Sequence, residues 1–418
     1  MWDPYAEFES ATLPNGLTVH AAHWSGRPWQ AMGFLVHSGA EQDPVGLEGL
    51  AHFTEHLVAA GSSKVPADAV SSFFEDHGGG AMLGGTNHEM TKYTFFAPAE
   101  KVVLARAFDL FGNMLLHATF DEFVERERSV ILSEYHQRPQ PQFKIDIEAR
   151  RRKALFAGYW LERFESVLGT PRSVNRITQK DLQGFYDQHY TPENISVVTV
   201  GGMRLSELTN LISWSPLADE KRGVRTPLPT PASSIDPPSE TRHVFELSKH
   251  MNVSLESGGY ESTTLIPGSE SPYTIDIVER MLRTVLTEEV REKRAWTYHI
   301  GCSTYYHRHF SEFGIICDSF KLNALDEIEE VIEQCVASIT HHEDLFKKIK
   351  HRLIMGVAMT DPNGCDVRNH ALNQLADHQR IITLTEQEQG FKKVCFNDVQ
   401  RVMQWFSQKH RYTLIRKP

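Results

Sequence analysis

Two stretches of this sequence return after almost the same interval, and the interval is close to half the chain. The apolar run 33–39, GFLVHSG, has a counterpart at 252–258, NVSLESG, with Ser38 and Ser257 standing 219 residues apart. Farther on, Asp181-Leu182-Gln183 with Phe185 and His189 returns as Asp398-Val399-Gln400 with Phe406 and His410, 217 residues from Asp181 to Asp398. Each landmark alone is a common strand or helix pattern and could match by chance, but two landmarks sharing one period point to a duplicated unit. A chain of 418 residues then holds two copies and a connection. The connection is marked by composition: six of the 20 prolines fall between Pro216 and Pro238, the one clear linker signal. The expected organisation is a domain over residues 1–215, a linker over 216–240 and a related domain over 241–418.

Within the first copy, Pro14-Asn15-Gly16 predicts a hairpin between strands at 8–13 and 17–22, because Asn-Gly supplies the positive φ angles of a tight turn. Helical patterns follow at 46–60, 67–77, 101–116 and 121–156, and strands at 91–97 and 195–200. Neighbouring strands with helices grouped between them predict an α+β fold: two homologous domains, each an antiparallel β-sheet covered by helices.

Charge and cysteine usage exclude several function classes. Against 43 basic side chains stand 54 acidic ones, a net charge of −11, which disfavours binding to nucleic acid or to an anionic membrane. No run approaches the roughly 18 apolar residues of a membrane span. The first ten residues carry Asp3, Glu7 and Glu9 and lack the basic-then-apolar order of a signal peptide, so a cytoplasmic location is expected. Five cysteines (Cys302, Cys317, Cys335, Cys365, Cys395) contain no CxxC pair and read as reduced thiols.

The chemistry is concentrated in His52-Phe53-Thr54-Glu55-His56. At about 100° per residue, His52, Glu55 and His56 leave one side of a helix within roughly 100°. Two imidazoles one turn apart can grip a metal ion, and the carboxylate beside them can take a proton from water. This is HxxEH, the reverse of the HExxH zinc-protease motif. Read alone, it is equally a helix with two incidental histidines. A catalytic zinc takes three protein ligands, so a third donor must come from elsewhere. Glu127 and Glu134, seven residues apart, share a helix face, as they would on any solvated helix.

Taken together, these residues resemble the pitrilysin/insulinase family of zinc metallopeptidases, which includes the mitochondrial processing peptidases and short bacterial relatives. The resemblance rests on Leu13-Pro14-Asn15-Gly16-Leu17, Gly49-Leu50-Ala51 leading into His52 to His56, Glu127-Arg128 to Glu134, Leu168-Gly169-Thr170, and Phe185-Tyr186 to Pro192-Glu193-Asn194. It implies a processing-peptidase-like metallohydrolase fold and one zinc per chain, held by His52, His56 and Glu134, with Glu55 as general base and Glu127 orienting a ligand histidine. The interval from His56 to Glu134 is one residue longer than is usual, which leaves Glu127 as the alternative ligand. In the second half, Arg291 and Tyr298 match a motif whose Arg and Tyr bind the substrate backbone; Arg294 is the alternative arginine. Without the family, Arg291 reads as part of a solvated basic turn and Tyr298 as a packed strand residue. One departure stands out: Leu83-Gly84 occupies the place of the usual Asn-Ala pair on a substrate-binding edge strand. The helix at 276–289, counterpart of the metal helix, lacks HxxEH.

The implied activity is zinc-dependent endopeptidase cleavage of short unfolded peptides, presequences or leader peptides. Long relatives join four such domains into a chamber, so a homodimer is expected, with a heterodimer of related subunits as the alternative. The competing function is that of a non-catalytic structural or recognition subunit.

Overall fold

The computed structural model describes residues 2–61, 65, 67–79, 83–120, 123–137, 142–220, 223–228, 232–246, 257–321, 324 and 327–417. The repeat landmark at 252–256, residues 80–82 of the glycine-rich stretch, and Pro229 and Pro231 of the linker lie outside them. The chain forms two compact units. The first takes Met1–Gln140, Arg163–Leu228 and Asp361–Leu384, and the second Pro141–Glu162, Pro229–Thr360 and Thr385–Pro418.

In chain order the first unit opens with strands β1 (Phe8–Thr12), β2 (Thr18–His23) and β3 (Trp29–Val36), then α1 (Leu50–Ala59), α2 (Ala67–Asp76), β4 (Leu83–Thr86), β5 (Thr91–Pro98), α3 (Lys101–Leu116) and α4 (Val124–Gln137). Helix α5 (Gln142–Leu155) belongs to the second unit. The chain then returns to the first with α6 (Pro171–Val174), α7 (Gln179–His189), β6 (Ile195–Gly201) and α8 (Leu205–Ser213). The second unit continues with β7 (Arg242–Glu246), β8 (Ser257–Pro267), α9 (Pro272–Leu286), β9 (His299–Tyr306), β10 (Phe310–Lys321), α10 (Ile328–Ser338) and α11 (Glu343–Ala358). Helix α12 (Gly364–His378) falls to the first unit, and α13 (Leu384–Lys393), α14 (Phe396–Val402) and β11 (Arg411–Lys417) close the second.

The duplication is visible in the sheets. Their strand orders are β1-β2-β6-β3-β5-β4 and β7-β11-β8-β10-β9, which coincide once β1 is set aside. The expectation of antiparallel sheets needs one correction: β2 runs parallel to β6 and β7 parallel to β11, while the other ladders are antiparallel, so both sheets are mixed. In each unit the parallel pair joins the first repeat strand to the last. No hairpin connects them, so nothing local dictates their relative direction.

A second correction concerns the helix expected over 121–156. It is two helices, α4 and α5, with Pro139 and Pro141 between them, outside the described residues. Proline has no N–H to donate and its ring collides with the preceding turn, so a helix cannot run through two of them unbroken. The break sends α5 onto the second sheet. There Arg151 pairs with Glu312 and lies 3.5 Å from Glu261, and the Phe143 and Phe245 rings stack at 5.9 Å. In return α12 packs on the first sheet: the buried Arg368 donates to the carbonyls of Met32 at 3.3 Å and Phe95 at 3.0 Å. A Cβ on Gly33 would stand 2.7 Å from Leu372, so that glycine is what lets α12 lie against β3. The units are therefore not the contiguous halves 1–215 and 241–418, because each takes one helix from the other half.

On the covered face of the first sheet, Phe34 of β3 and Phe95 of β5 meet Phe74 of α2 and Phe111 of α3, with rings 4.5–4.7 Å apart in neighbouring pairs. Full burial of each such ring is worth about 1.5–3 kcal/mol. Among the described residues no helix is long and apolar enough to cross a membrane.

Candidate active site

Helix α1 is held at its first turn from outside. Gly49 precedes it at φ 101°, and a Cβ there would meet the Leu168 carbonyl oxygen at 2.6 Å, so the position needs glycine for both conformation and space. The buried Asp43 carboxylate accepts from the Gly49 N–H at 2.7 Å and the Ala51 N–H at 2.8 Å, satisfying amides that the helix leaves unpaired. Burial pushes the Asp43 carboxyl up to about 7 against those amides and against Arg163. Arg163 in turn donates to Glu48 at 2.9 Å and to the Asp43 carbonyl at 2.6 Å, while Ser173 donates to the Glu48 carbonyl at 2.7 Å. This is where the Leu168-Gly169-Thr170 landmark sits: a Cβ on Gly169 would fall 2.1 Å from the Glu48 carbonyl oxygen.

Locked in this way, α1 presents His52, Glu55 and His56 together, with one donor atom of each within 4.8 Å of the others. The two imidazole rings are 4.6 Å apart. Glu134 on α4 brings Oε2 to 3.8 Å from His52 Nε2 and 3.7 Å from His56 Nε2. These separations are too long for hydrogen bonds. Tetrahedral ligands at about 2.0–2.2 Å from an ion stand roughly 3.3–3.6 Å apart, so the Glu134 oxygen is within a few tenths of an ångström of zinc-ligand spacing to each imidazole nitrogen. Glu127 meets His56 on the opposite side of the ring, with Oε2 3.3 Å from Nδ1, and its other oxygen accepts from Arg126 at 2.8 Å. The two carboxylates are thus separated by which imidazole nitrogen they address. Glu55 is buried, and burial foremost, then the negative charge of Glu134, raises its carboxyl to about 7 against the opposing effects of His56 and a hydrogen bond from Thr86.

Arg291 and Tyr298 lie in the second unit and meet each other. After α9 the helix loosens into a π-helical stretch, Thr287–Lys293, which carries Arg291; Ala295 at φ 51° then turns the chain toward β9. The Arg291 guanidinium lies 4.4 Å over the Tyr298 ring, which is 78% exposed. The neighbouring cations are committed elsewhere: Lys293 to Glu288 and Glu289 at 2.9 and 2.6 Å, and Arg294 to the Glu289 carboxylate at 2.7 Å and its carbonyl at 2.9 Å. Among the described residues of this turn, Arg291 is the cation with no carboxylate partner.

Sequence reasoning did not single out Asp43, Arg126 or Thr86. Asp43 could have been sought as an acid a few residues ahead of a helix-starting glycine, but it caps from six residues upstream of Gly49 rather than from the usual adjoining position. Of the departure at Leu83-Gly84, the structure describes a backbone on β4, the outermost strand of the first sheet.

Residues 21–159 match the family described as Insulinase (Peptidase family M16), a span containing His52, Glu55, His56, Glu127 and Glu134. Residues 176–353 match the family description Peptidase M16 inactive domain, a span containing Arg291 and Tyr298. This chain belongs to the M16, or insulinase, family of peptidases. Peptidases of the M16 family are zinc-dependent. Among similar proteins, the probable mitochondrial-processing peptidase subunit beta of Arabidopsis thaliana is 26% identical over 207 residues, 49% of this chain and 38% of that protein. The uncharacterized zinc protease YmxG of Bacillus subtilis is 23% identical over 74% of this chain and 73% of its own. The periplasmic protease PqqL of Escherichia coli has the same fold, with a TM-score of 0.82 at 16% identity, covering 98% of this chain and 47% of that one. Several curated relatives are thus matched over less than half of their own length.

Proposed function

We propose that this M16 chain is a zinc-dependent endopeptidase that hydrolyses short unfolded peptides, presequences or leader peptides inside a dimeric chamber. One observation carries the reading: His52 Nε2 and His56 Nε2 stand 3.8 and 3.7 Å from Glu134 Oε2, a few tenths of an ångström beyond the spacing of zinc ligands, beside the buried Glu55 carboxylate. His52, His56 and Glu134 would hold the ion. When bound, zinc supplies Lewis acidity, polarising a carbonyl and making a water easier to deprotonate. Glu127, steadied by Arg126, fixes the His56 ring through Nδ1. Glu55 takes the proton from the attacking water on its carboxylate and passes it to the leaving amine, a role that suits a carboxyl raised toward neutrality. Arg291 and Tyr298 donate to substrate carbonyls; their stacking restricts both side chains before a peptide arrives.

A partner supports this reading because the solved PqqL chain is about twice as long as the part this protein covers. A dimer of two such chains would bring one copy's Arg291 and Tyr298 to the other's metal-binding residues. Mixing tests it: chains carrying only Glu55→Gln and chains carrying only Tyr298→Phe are each inactive, and exchange between the dimers restores cleavage. Absence of recovery in dimers shown to have exchanged would mean that each chain works alone. Metal analysis separates the peptidase from a non-catalytic subunit: the expected content is one zinc per chain, and a zinc-free protein that cleaves no peptide would support the subunit reading.

A further inference from the structure

Strand β4 closes the strand order of the first sheet with β5 as its neighbour, so the backbone of its outer edge can bond an extended peptide. Across the β4–β5 ladder Gly84 stands opposite Tyr93 and Gly85 opposite Lys92, and paired residues share a side of the sheet. A Cβ on Gly84 would meet Glu55 and Tyr93, which makes that side the α1 side. Gly85 and Lys92 therefore face the other way, where a Cβ on Gly85 would find no atom within 4 Å. On that side Lys92 lies between two unlike neighbours. Across the β3–β5 ladder is Leu35, buried in an apolar cluster with Ala371, Leu372 and Leu375 of α12. Across the β4–β5 ladder is Gly85, which has no side chain. Lys92 is half-buried, and burial foremost, then the Arg368 guanidinium, holds its ammonium below the usual lysine range. Among the described residues no carboxylate lies within ion-pair distance of Lys92. Arg368 is committed to the carbonyls of Met32 and Phe95 and to the Asn369 side chain.

We infer that Lys92 is a specificity-determining residue, selecting an acidic side chain on a peptide that lies along β4. Such a peptide sets one residue opposite Gly85, on the Lys92 side and two strand spacings from Lys92, roughly 9–10 Å. Extended lysine and glutamate side chains together bridge that span, and glycine in the strand between them leaves the way open. A cation half-withdrawn from water and without a carboxylate gains more from an incoming anion than a fully exposed one would, and rejects an incoming cation. The inference rests on the peptidase reading above and narrows its substrates to peptides with an acidic residue at one fixed distance from the cleaved bond.

The test uses the full-length protein and labelled peptides of about ten residues, end-capped and uncharged except for one glutamate or one lysine moved along the chain. Binding is read by fluorescence anisotropy in the Glu55→Gln background, and cleavage sites are mapped by mass spectrometry with the zinc-loaded wild type. At one position, glutamate is expected to bind about tenfold more tightly than lysine, and the cleaved bond keeps a constant distance from it. Lys92→Met should reduce the difference to within about twofold while the uncharged parent peptide binds as before, and Lys92→Glu should reverse it. Gly85→Leu, which closes the path without touching a charge, should weaken the preference as Lys92→Met does. A wild type indifferent to charge at every position, or a glutamate preference that survives in Lys92→Met, would overturn the inference. A wild type that cleaves nothing, yet shows the Lys92-dependent preference in binding, would overturn the peptidase reading and leave this one standing.

Discussion

The two units set the same helix against the same sheet edge and equip it differently. In the first, α1 carries His52, Glu55 and His56, and its imidazole nitrogens stand 3.7–3.8 Å from Glu134, too far to hydrogen-bond. In the second, α9 carries Asp276 and Glu279, and protein donors answer both: Tyr306 donates to Asp276, while Arg283 at 2.6 Å and Thr304 at 2.8 Å donate to Glu279. On α9 both carboxylates are held by hydrogen bonds from side chains of their own unit. Donors converging without bonding one another leave room for an ion. The difference teaches that one helix-on-sheet topology can carry a converging set of metal-type donors or a set of internally bonded carboxylates, depending on the residues placed on it.

One substitution placed in both units gives the largest contrast. Glu55→Gln is expected to retain zinc and reduce peptide turnover by about a thousandfold, within the range for losing a general base. Glu279→Gln should leave turnover near wild type and cost about 1–3 kcal/mol in unfolding free energy, because Arg283 and Thr304 lose a charged acceptor. Steady-state kinetics with metal analysis reads the first, and denaturant unfolding the second. Near-normal turnover in Glu55→Gln would break the comparison at its centre.

The helix starts also differ. Helix α1 is capped by buried Asp43, whereas α9 begins at Ser271 and Pro272 without a side-chain cap. Asp43 is raised from 3.8 to about 7 by burial. An acid raised on folding binds a proton that the unfolded chain releases. The contribution of Asp43 to stability is therefore greatest below about pH 4, declines as pH rises between the two values and levels off above 7, a loss of at most about 4 kcal/mol. Asp43→Asn removes this component, so the gap between wild type and variant should change across pH 4–7 and stay flat above it. A gap independent of pH would mean that Asp43 keeps its ordinary acidity.

What could be read from the sequence was what depends on neighbouring residues. The span expected for α3 is the one observed, and the HxxEH arithmetic placed three side chains on one side of α1, because helical periodicity is local. The parallel β2–β6 pair and the exchange of α5 and α12 were not legible, since each depends on contacts between distant segments. Pro139 and Pro141 were a local signal against a single helix over 121–156, outweighed in the reading by the charged pattern on either side. Asp43 carried no motif; its importance comes from burial and from the helix-start amides it accepts from.

On the turn ahead of β9, Arg291 and Arg294 are three residues apart and separated by commitment. Arg294 is held by Glu289 and lies 5.4 Å from the Trp296 ring, whereas Arg291 touches Tyr298. Arg291→Ala is expected to lower kcat/KM by about ten- to hundredfold, below the usual cost of losing an oxyanion donor because Tyr298 remains. Arg294→Ala should change it by no more than about threefold. The reverse ranking would transfer the substrate-binding role to Arg294.

Backbone conformation gives the smallest and most local version of the comparison. Beside α1 the left-handed positions fall to glycines, at Gly46, Gly49 and Gly61; between Arg291 and Tyr298, Ala295 takes φ 51° with a Cβ present. A non-glycine residue there costs about 1–2 kcal/mol. Glycine would relieve that cost while adding about 0.5–1 kcal/mol of chain entropy to be lost on folding. Ala295→Gly should therefore stabilise the protein by roughly 0.5–1 kcal/mol, whereas Gly49→Ala should destabilise it by more, having both the wrong φ and the Leu168 carbonyl in its way. Arg291 and Tyr298 stand on either side of Ala295, so the looser turn should also lower kcat/KM about twofold to threefold. A more stable Ala295→Gly variant with unchanged kcat/KM would show that the strained turn shapes the chain without positioning Arg291 and Tyr298.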